Sequence, residues 1–163
     1  MLNTTSTRRN ELQNSYYFWC NCEKCTEPES FATAAICPSC DSACDAKEDF
    51  CSKCEKEFLP SFKQKFIEAN EFTAKNLESM KNIACILFLF CLGGIYFWFI
   101  NFLTKCFKDL DLSKKCLDKQ KDVMHPLNIQ HVRTVESAFD ACVDLGYWGE
   151  AEKFGLELIP GYL

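Results

Sequence analysis

Histidine is scarce in this chain, with 2 among 163 residues, and basic residues are in deficit, 18 lysines and arginines against 23 aspartates and glutamates. His125 lies in a helix breaker and His131 on a helix, neither at ligand spacing from a cysteine pair, so both read as surface or satisfied polar residues. The net charge of -5 and pI near 5.1 leave no electrostatic footprint for nucleic acid. A ribbon that grips DNA carries a basic face, whereas Glu48, Asp49, Glu55 and Glu57 surround the cysteines here. A secretory signal is also lacking from the opening residues, because Arg8-Arg9 is not followed by an apolar stretch.

Cysteine, in contrast, is abundant. Of 13 cysteines, eight fall between Tyr16 and Cys54 at spacings that suit a metal. Cys37-Pro38-Ser39-Cys40 and Cys51-Ser52-Lys53-Cys54 are two Cys-x-x-Cys knuckles, and each short turn aims two sulfurs at one point, so together they offer zinc a complete tetrahedral site. A disulfide scaffold is the competing reading, and paired knuckles of this kind without a secretory signal favour the metal. Cys20, Cys22 and Cys25 supply three ligands where a closed site needs four; Cys44 or a cysteine from outside the stretch would have to complete it. Cys85, Cys91, Cys106, Cys116 and Cys142 show no metal pattern and read as small apolar residues.

The remainder reads as helical. Residues 1–15 suggest a short helix capped near Ser6 or Thr7, running into a strand-like aromatic stretch from Tyr16 to Trp19. After a linker over 26–36, the second knuckle set forms a small ribbon whose role is stapling, since a closed four-cysteine site has no open coordination position. From Pro60 to Asn82 an apolar stripe of Phe62, Phe66, Ile67, Ala69, Phe72, Leu77 and Met80 predicts an amphipathic helix. Residues 83–103, IACILFLFCLGGIYFWFINFL, carry no charge, and their length predicts a single membrane-spanning helix with Tyr96 and Trp98 as interfacial anchors. Charged helical text resumes over 106–124 and breaks at His125-Pro126. Helices are then expected over 127–146, with Gly146 ending the first, and over 148–158, with Ala151, Phe154, Gly155 and Leu158 facing inward.

At Tyr16 to Cys25 the residues carry a family likeness. Arg8-Arg9-x-x-Leu12 followed by Tyr16-x-Phe18-x-Cys20-x-Cys22-x-x-Cys25 resembles the post-SET segment of the SET-and-MYND-domain protein-lysine methyltransferases. Leu145-Gly146-Tyr147-Trp148-Gly149-Glu150-Ala151, running on to Pro160-Gly161-Tyr162, resembles the first hairpin of that family's tetratricopeptide-like C-terminal lobe. The likeness covers Leu2 to Cys25 and Asp109 to Tyr162. It implies that the three cysteines bind zinc with a fourth from the catalytic SET core, and that Phe18, with Tyr16 beside it, lines an S-adenosylmethionine pocket. The bland reading of these aromatics is packing around a zinc loop.

The resulting expectation is a mainly α chain: a small zinc-stabilised cysteine-rich N-terminal module, then helices and a tetratricopeptide-like hairpin. Its parts are a post-SET segment over 1–25, a four-cysteine zinc-ribbon-like insertion over 26–59, an amphipathic helix over 60–82, the apolar run over 83–103, and the start of the helical lobe over 104–163. Zinc ligands are Cys20, Cys22, Cys25, Cys37, Cys40, Cys51 and Cys54. The resemblance implies methyl transfer from S-adenosylmethionine to a lysine of a histone or other protein substrate, in cytoplasm and nucleus. The chain has no Asn-His-Ser-Cys stretch of a SET core and no MYND zinc module, so no catalytic residue is assigned and no turnover by the chain alone is expected. The apolar run would then be foreign, for example intron-derived, sequence. A second reading takes that run at face value, as a single-pass membrane adaptor with a zinc ribbon and a protein-binding hairpin. A third is a soluble zinc-binding interaction module.

Overall fold

The computed structural model describes residues 4–26, 31–86 and 95–162. The chain is mainly helical. Helices α1 (Thr5–Tyr16) and α2 (Glu23–Thr26) precede a two-stranded hairpin of β1 (Ala35–Ile36) and β2 (Ala43–Cys44), and four long helices follow: α3 (Pro60–Ile86), α4 (Ile95–Gln120), α5 (Ile129–Leu145) and α6 (Trp148–Tyr162).

Helix α1 begins earlier than the sequence suggests, because Thr4 rather than Ser6 or Thr7 accepts the Thr7 amide as N-cap. It also runs further: Tyr16 is its last residue, and Tyr17, at φ 58° in the left-handed region, closes it with its N–H on the Gln13 carbonyl. The expected strand-like start at Tyr16 is therefore a helix end. No residue of α1 is buried.

The long helices alternate in direction. Gln120 at the end of α4 reaches Thr73 in mid-α3, while Ser113 lies against Met80 nearer the end of α3, so the two run antiparallel. Leu110 packs with Ala138 and Ala141, and Gln120 meets Thr134, which sets α4 antiparallel to α5. Cys142 packs with Ala151, and Val132 and Val135 with Leu158, which does the same for α5 and α6. Helix α5 has defined ends: the Asn128 side chain accepts the Gln130 amide, and Gly146, at φ 73°, supplies the left-handed closing residue that a Cβ would strain.

The expected membrane span is corrected by this arrangement. Among the described residues no helix is long and apolar enough to cross a membrane. Residues 83–86 close α3 and 95–103 open α4, two antiparallel helices that continue into charged text on either side; residues 87–94 lie outside the described residues. The single-pass membrane location read from the run therefore has no spanning helix behind it. Two smaller readings also change. Ile67, placed on the inner stripe of α3, is 48% exposed, whereas Thr73, a polar residue outside that stripe, is buried along with Phe62, Ala69 and Met80 of it. The break expected at His125-Pro126 comes earlier, since α4 ends at Gln120 and Val123 and Met124 turn inward.

The ribbon is built into the lobe rather than appended to it. Phe58, Phe62, Ala69, Val123 and Met124 form one core with Ala35, Cys37, Cys44 and Cys51. Backbone bonds continue the hairpin onto the α4–α5 connection: Ile36 N–H to Val123 O at 3.0 Å, His125 N–H to Ala34 O at 3.2 Å, and Ile129 N–H to Ala32 O at 3.0 Å.

Candidate metal centres

Two groups of cysteines converge, and both are groups the spacing predicts. In the first, the sulfurs of Cys37, Cys40, Cys51 and Cys54 all lie within 4.8 Å of one another. Its two knuckles are copies in backbone terms. Asp41 N–H bonds Cys37 O and Glu55 N–H bonds Cys51 O, Cys37 N–H bonds Ser42 O and Cys51 N–H bonds Lys56 O. Asp41 at φ 55° and Glu55 at φ 56° are both left-handed, a conformation non-glycine residues adopt only where surroundings compel it.

The spacing of the sulfurs fits a tetrahedral thiolate site. Cys37 Sγ to Cys54 Sγ and Cys40 Sγ to Cys51 Sγ are each 3.7 Å. A tetrahedron with metal–sulfur bonds of about 2.3 Å has edges of about 3.8 Å, the zinc value. Thiolate character is prepared by the chain at two of the four sulfurs, whereas Cys54, despite the Lys56 amide, is pushed up to about 11 by burial and then by Cys40, Cys51 and Cys37. The Cys54 and Lys53 amides and then the Ser42 hydroxyl hold Cys51 down to about 6. The Ser42 hydroxyl, 2.9 Å from Cys40 Sγ, lowers that thiol as well.

Cys44 belongs to neither group. It is buried and faces inward, donating to Ala35 O at 3.5 Å, and burial followed by the neighbouring Cys37 and Cys51 pushes its thiol up to about 12. The candidate fourth ligand for the first three cysteines is thus a packed thiol of the ribbon core.

Cys20, Cys22 and Cys25 form the second group, again with sulfurs within 4.8 Å. Helix α1 organises them from one side. Arg8 Nη2 donates to Cys25 Sγ at 3.5 Å and lowers its pKa, while Arg9 Nε donates to Cys20 O at 2.9 Å and its guanidinium lies 5.2 Å from the Trp19 ring centroid. Sequence reading paired the arginines with the cysteines only as a pattern; their contact is a clamp. Cys25 is buried and Cys22 exposed, so the group is closed on one side and open on the other.

The aromatics beside it are exposed rather than wrapped into a core, with Trp19 held by Arg9. Tyr16 is 71% exposed, Tyr17 85%, Phe18 48% and Trp19 51%, which removes the reading of a hydrophobic wrap around the loop. Both histidines are held as polar partners: His125 Nδ1 accepts the Leu127 amide, and His131 lies between Gln120 and Glu157. Both cysteine groups can hold a metal ion, with a donor set compatible with zinc. No family model matches the chain. No curated protein matches it either.

Proposed function

We propose that this chain is a metal-held, non-catalytic part of a SET-and-MYND-type protein-lysine methyltransferase, in which residues 1–25 act as the post-SET segment. The observation that carries the reading is the open group of Cys20, Cys22 and Cys25 with four consecutive exposed aromatics, Tyr16 to Trp19, next to it. Three thiolates without a fourth leave one tetrahedral position for a donor from another polypeptide surface, and exposed aromatics at that place are what such a surface would cover. On this reading Phe18 and Tyr16 form one wall of the S-adenosylmethionine pocket, and the assembled enzyme transfers the methyl group to a lysine of a protein substrate. Helices α5 and α6 then form the first hairpin of a tetratricopeptide-like lobe. Close packing supports this, since a Cβ on Gly155 would stand 3.3 Å from the Phe139 ring.

The test is zinc content and methyl transfer, measured with and without an added SET-core polypeptide of that family. The chain alone should hold one zinc tightly at the four-cysteine site and a second weakly, and transfer no methyl group. Addition of the core should tighten the second zinc, and Phe18→Ala should abolish any methyl transfer the mixture shows. Two equally tight zincs in the isolated chain, or methyl transfer without the core, would overturn the proposal.

A further inference from the structure

The start of α4 projects beyond the turn that joins α5 to α6. Cys106 Sγ lies 3.7 Å from Asp144 Oδ2 at the end of α5, and the Phe107 and Tyr147 ring centroids are 6.4 Å apart, so that turn stands level with Cys106 and Phe107. The residues of α4 before Cys106, Ile95 to Lys105, therefore run roughly 16 Å past it, at about 1.5 Å per residue. From Ile95 to Leu103 every residue but Asn101 is apolar, which leaves no polar face to keep this end of the helix in water. Ile100 is 62% exposed there. The Thr104 hydroxyl donates back to Ile100 O at 2.8 Å, so the helix itself satisfies it.

Polarity changes at the level of the turn. No residue over 82–104 is charged, and the charges that bracket this stretch, Lys81 and Lys105, are both cations, with Lys108 following. Phe107, Tyr147 and Trp148 stand exposed at the same level. An uncharged projection, a collar of aromatics and then cations match in order the hydrocarbon, interface and phosphate layers of a bilayer. Length sets the depth. Ile95 to Thr104 spans roughly 15 Å, half of a hydrocarbon core about 30 Å thick, so the projection can enter one leaflet and cannot cross.

We propose that the start of α4 docks on a phospholipid bilayer as a one-sided anchor. Ile95 to Thr104 enter the near leaflet, Phe107, Tyr147 and Trp148 rest at the interface, and Lys105 and Lys108 meet lipid phosphates. The anchor uses no residue of the post-SET segment, so it stands whether or not the methyltransferase reading holds.

The test is flotation of the zinc-loaded full chain with vesicles of equal parts phosphatidylcholine and phosphatidylserine. An anchor as strong as a single myristoyl chain, about 10⁴ M⁻¹, is mostly bound at about 1 mM lipid, where flotation is expected. Ile100→Asp places a charge in the leaflet and should reduce partitioning at least about tenfold, and Trp148→Ala should reduce it about threefold. Leu156→Asp alters an equally exposed apolar residue of α6, roughly 12 Å along the helix from Trp148, and should leave partitioning unchanged. All three positions are exposed, so melting temperatures should hold and a loss of flotation is not unfolding. Absence of flotation at about 1 mM lipid, or equal loss with Ile100→Asp and Leu156→Asp, overturns the proposal. So does lipid-independent dimerisation in sedimentation that Ile100→Asp abolishes, which would give this face to a second copy of the chain.

Discussion

Stripping the metal from the four-cysteine site should unfold the ribbon and the α4–α5 connection together, and leave α4, α5 and α6 helical. The core shared by ribbon and lobe contains four large apolar side chains, Phe58, Phe62, Val123 and Met124. At about 1.5–3 kcal/mol each, they contribute roughly 6–12 kcal/mol. A structural zinc contributes about 10–16 kcal/mol of apparent binding free energy at neutral pH, so the metal outweighs the packing. The clusters that join α4 to α5 and α5 to α6 contain no ribbon residue and should survive. Hydrogen exchange on the chain with and without chelator reads this directly. Loss of protection is expected at Ile36, Cys37, Phe58, Val123 and Met124, with protection retained at Ala138, Ala141 and Cys142. If Cys37 and Met124 stay protected without metal, the packing alone holds the ribbon and the reasoning fails. Loss of protection throughout α5 would instead refute the independence of the lobe.

Gln120→Leu removes an amide that donates to Thr73 and Thr134 and accepts from the ring of His131. The stranded buried partners should destabilise the fold by about 2–4 kcal/mol in urea titrations, and a change below about 1 kcal/mol would show the network to be slack. Gly155→Leu forces bulk against Phe139, where even a Cβ stands at 3.3 Å, and should cost about 1–3 kcal/mol; Gly155→Ala should be near neutral, the tight contact being offset by about 1 kcal/mol of helix propensity. Burial lowers the pKa of His131 below the usual 6.5, with Glu157 opposing. The unfolded chain then binds the proton more readily, so stability from His131 is present above pH 6.5 and falls as pH drops below it. The melting-temperature advantage of the native chain over His131→Gln should therefore shrink on moving from about pH 7.5 to 5.5, and an unchanged advantage would count against it.

The metal groups were legible in the sequence because a knuckle is a local object: two cysteines three residues apart fix where their sulfurs point, and no distant contact is needed. The helices of the lobe were legible for a similar reason, and the inner face of α6, Ala151, Phe154, Gly155 and Leu158, is where periodicity puts it. What escaped was the buried polar layer. Thr73, Gln120, Asn128 and Thr134 are each no more than 1% exposed, and a pattern of apolar residues cannot flag polar ones whose partners sit 14 or 47 residues away. The apolar run misled because hydropathy measures residues along a line. It does not register that the chain reverses direction between α3 and α4.

The polar layer also explains how a stapling ribbon bears on the helical lobe. Asn128 acts in two directions: its Oδ1 caps α5 through the Gln130 amide, and its Nδ2 donates to Ala34 O at 3.0 Å in the ribbon. The same Ala34 carbonyl receives His125 N–H, so one ribbon atom fixes both ends of the turn from Val123 to Asn128. Two residues later Gln130 O accepts the Thr134 hydroxyl, and Thr134 accepts Gln120 of α4, which also meets Thr73 of α3. A continuous set of hydrogen bonds therefore runs from the cysteine-knuckle hairpin through the α5 N-cap to α3 and α4. Because Asn128, Thr134, Gln120 and Thr73 are buried and bonded in series, displacement of one leaves the next unsatisfied at a cost of about 1–3 kcal/mol. The ribbon can thus set the approach of α3, α4 and α5 through this polar layer.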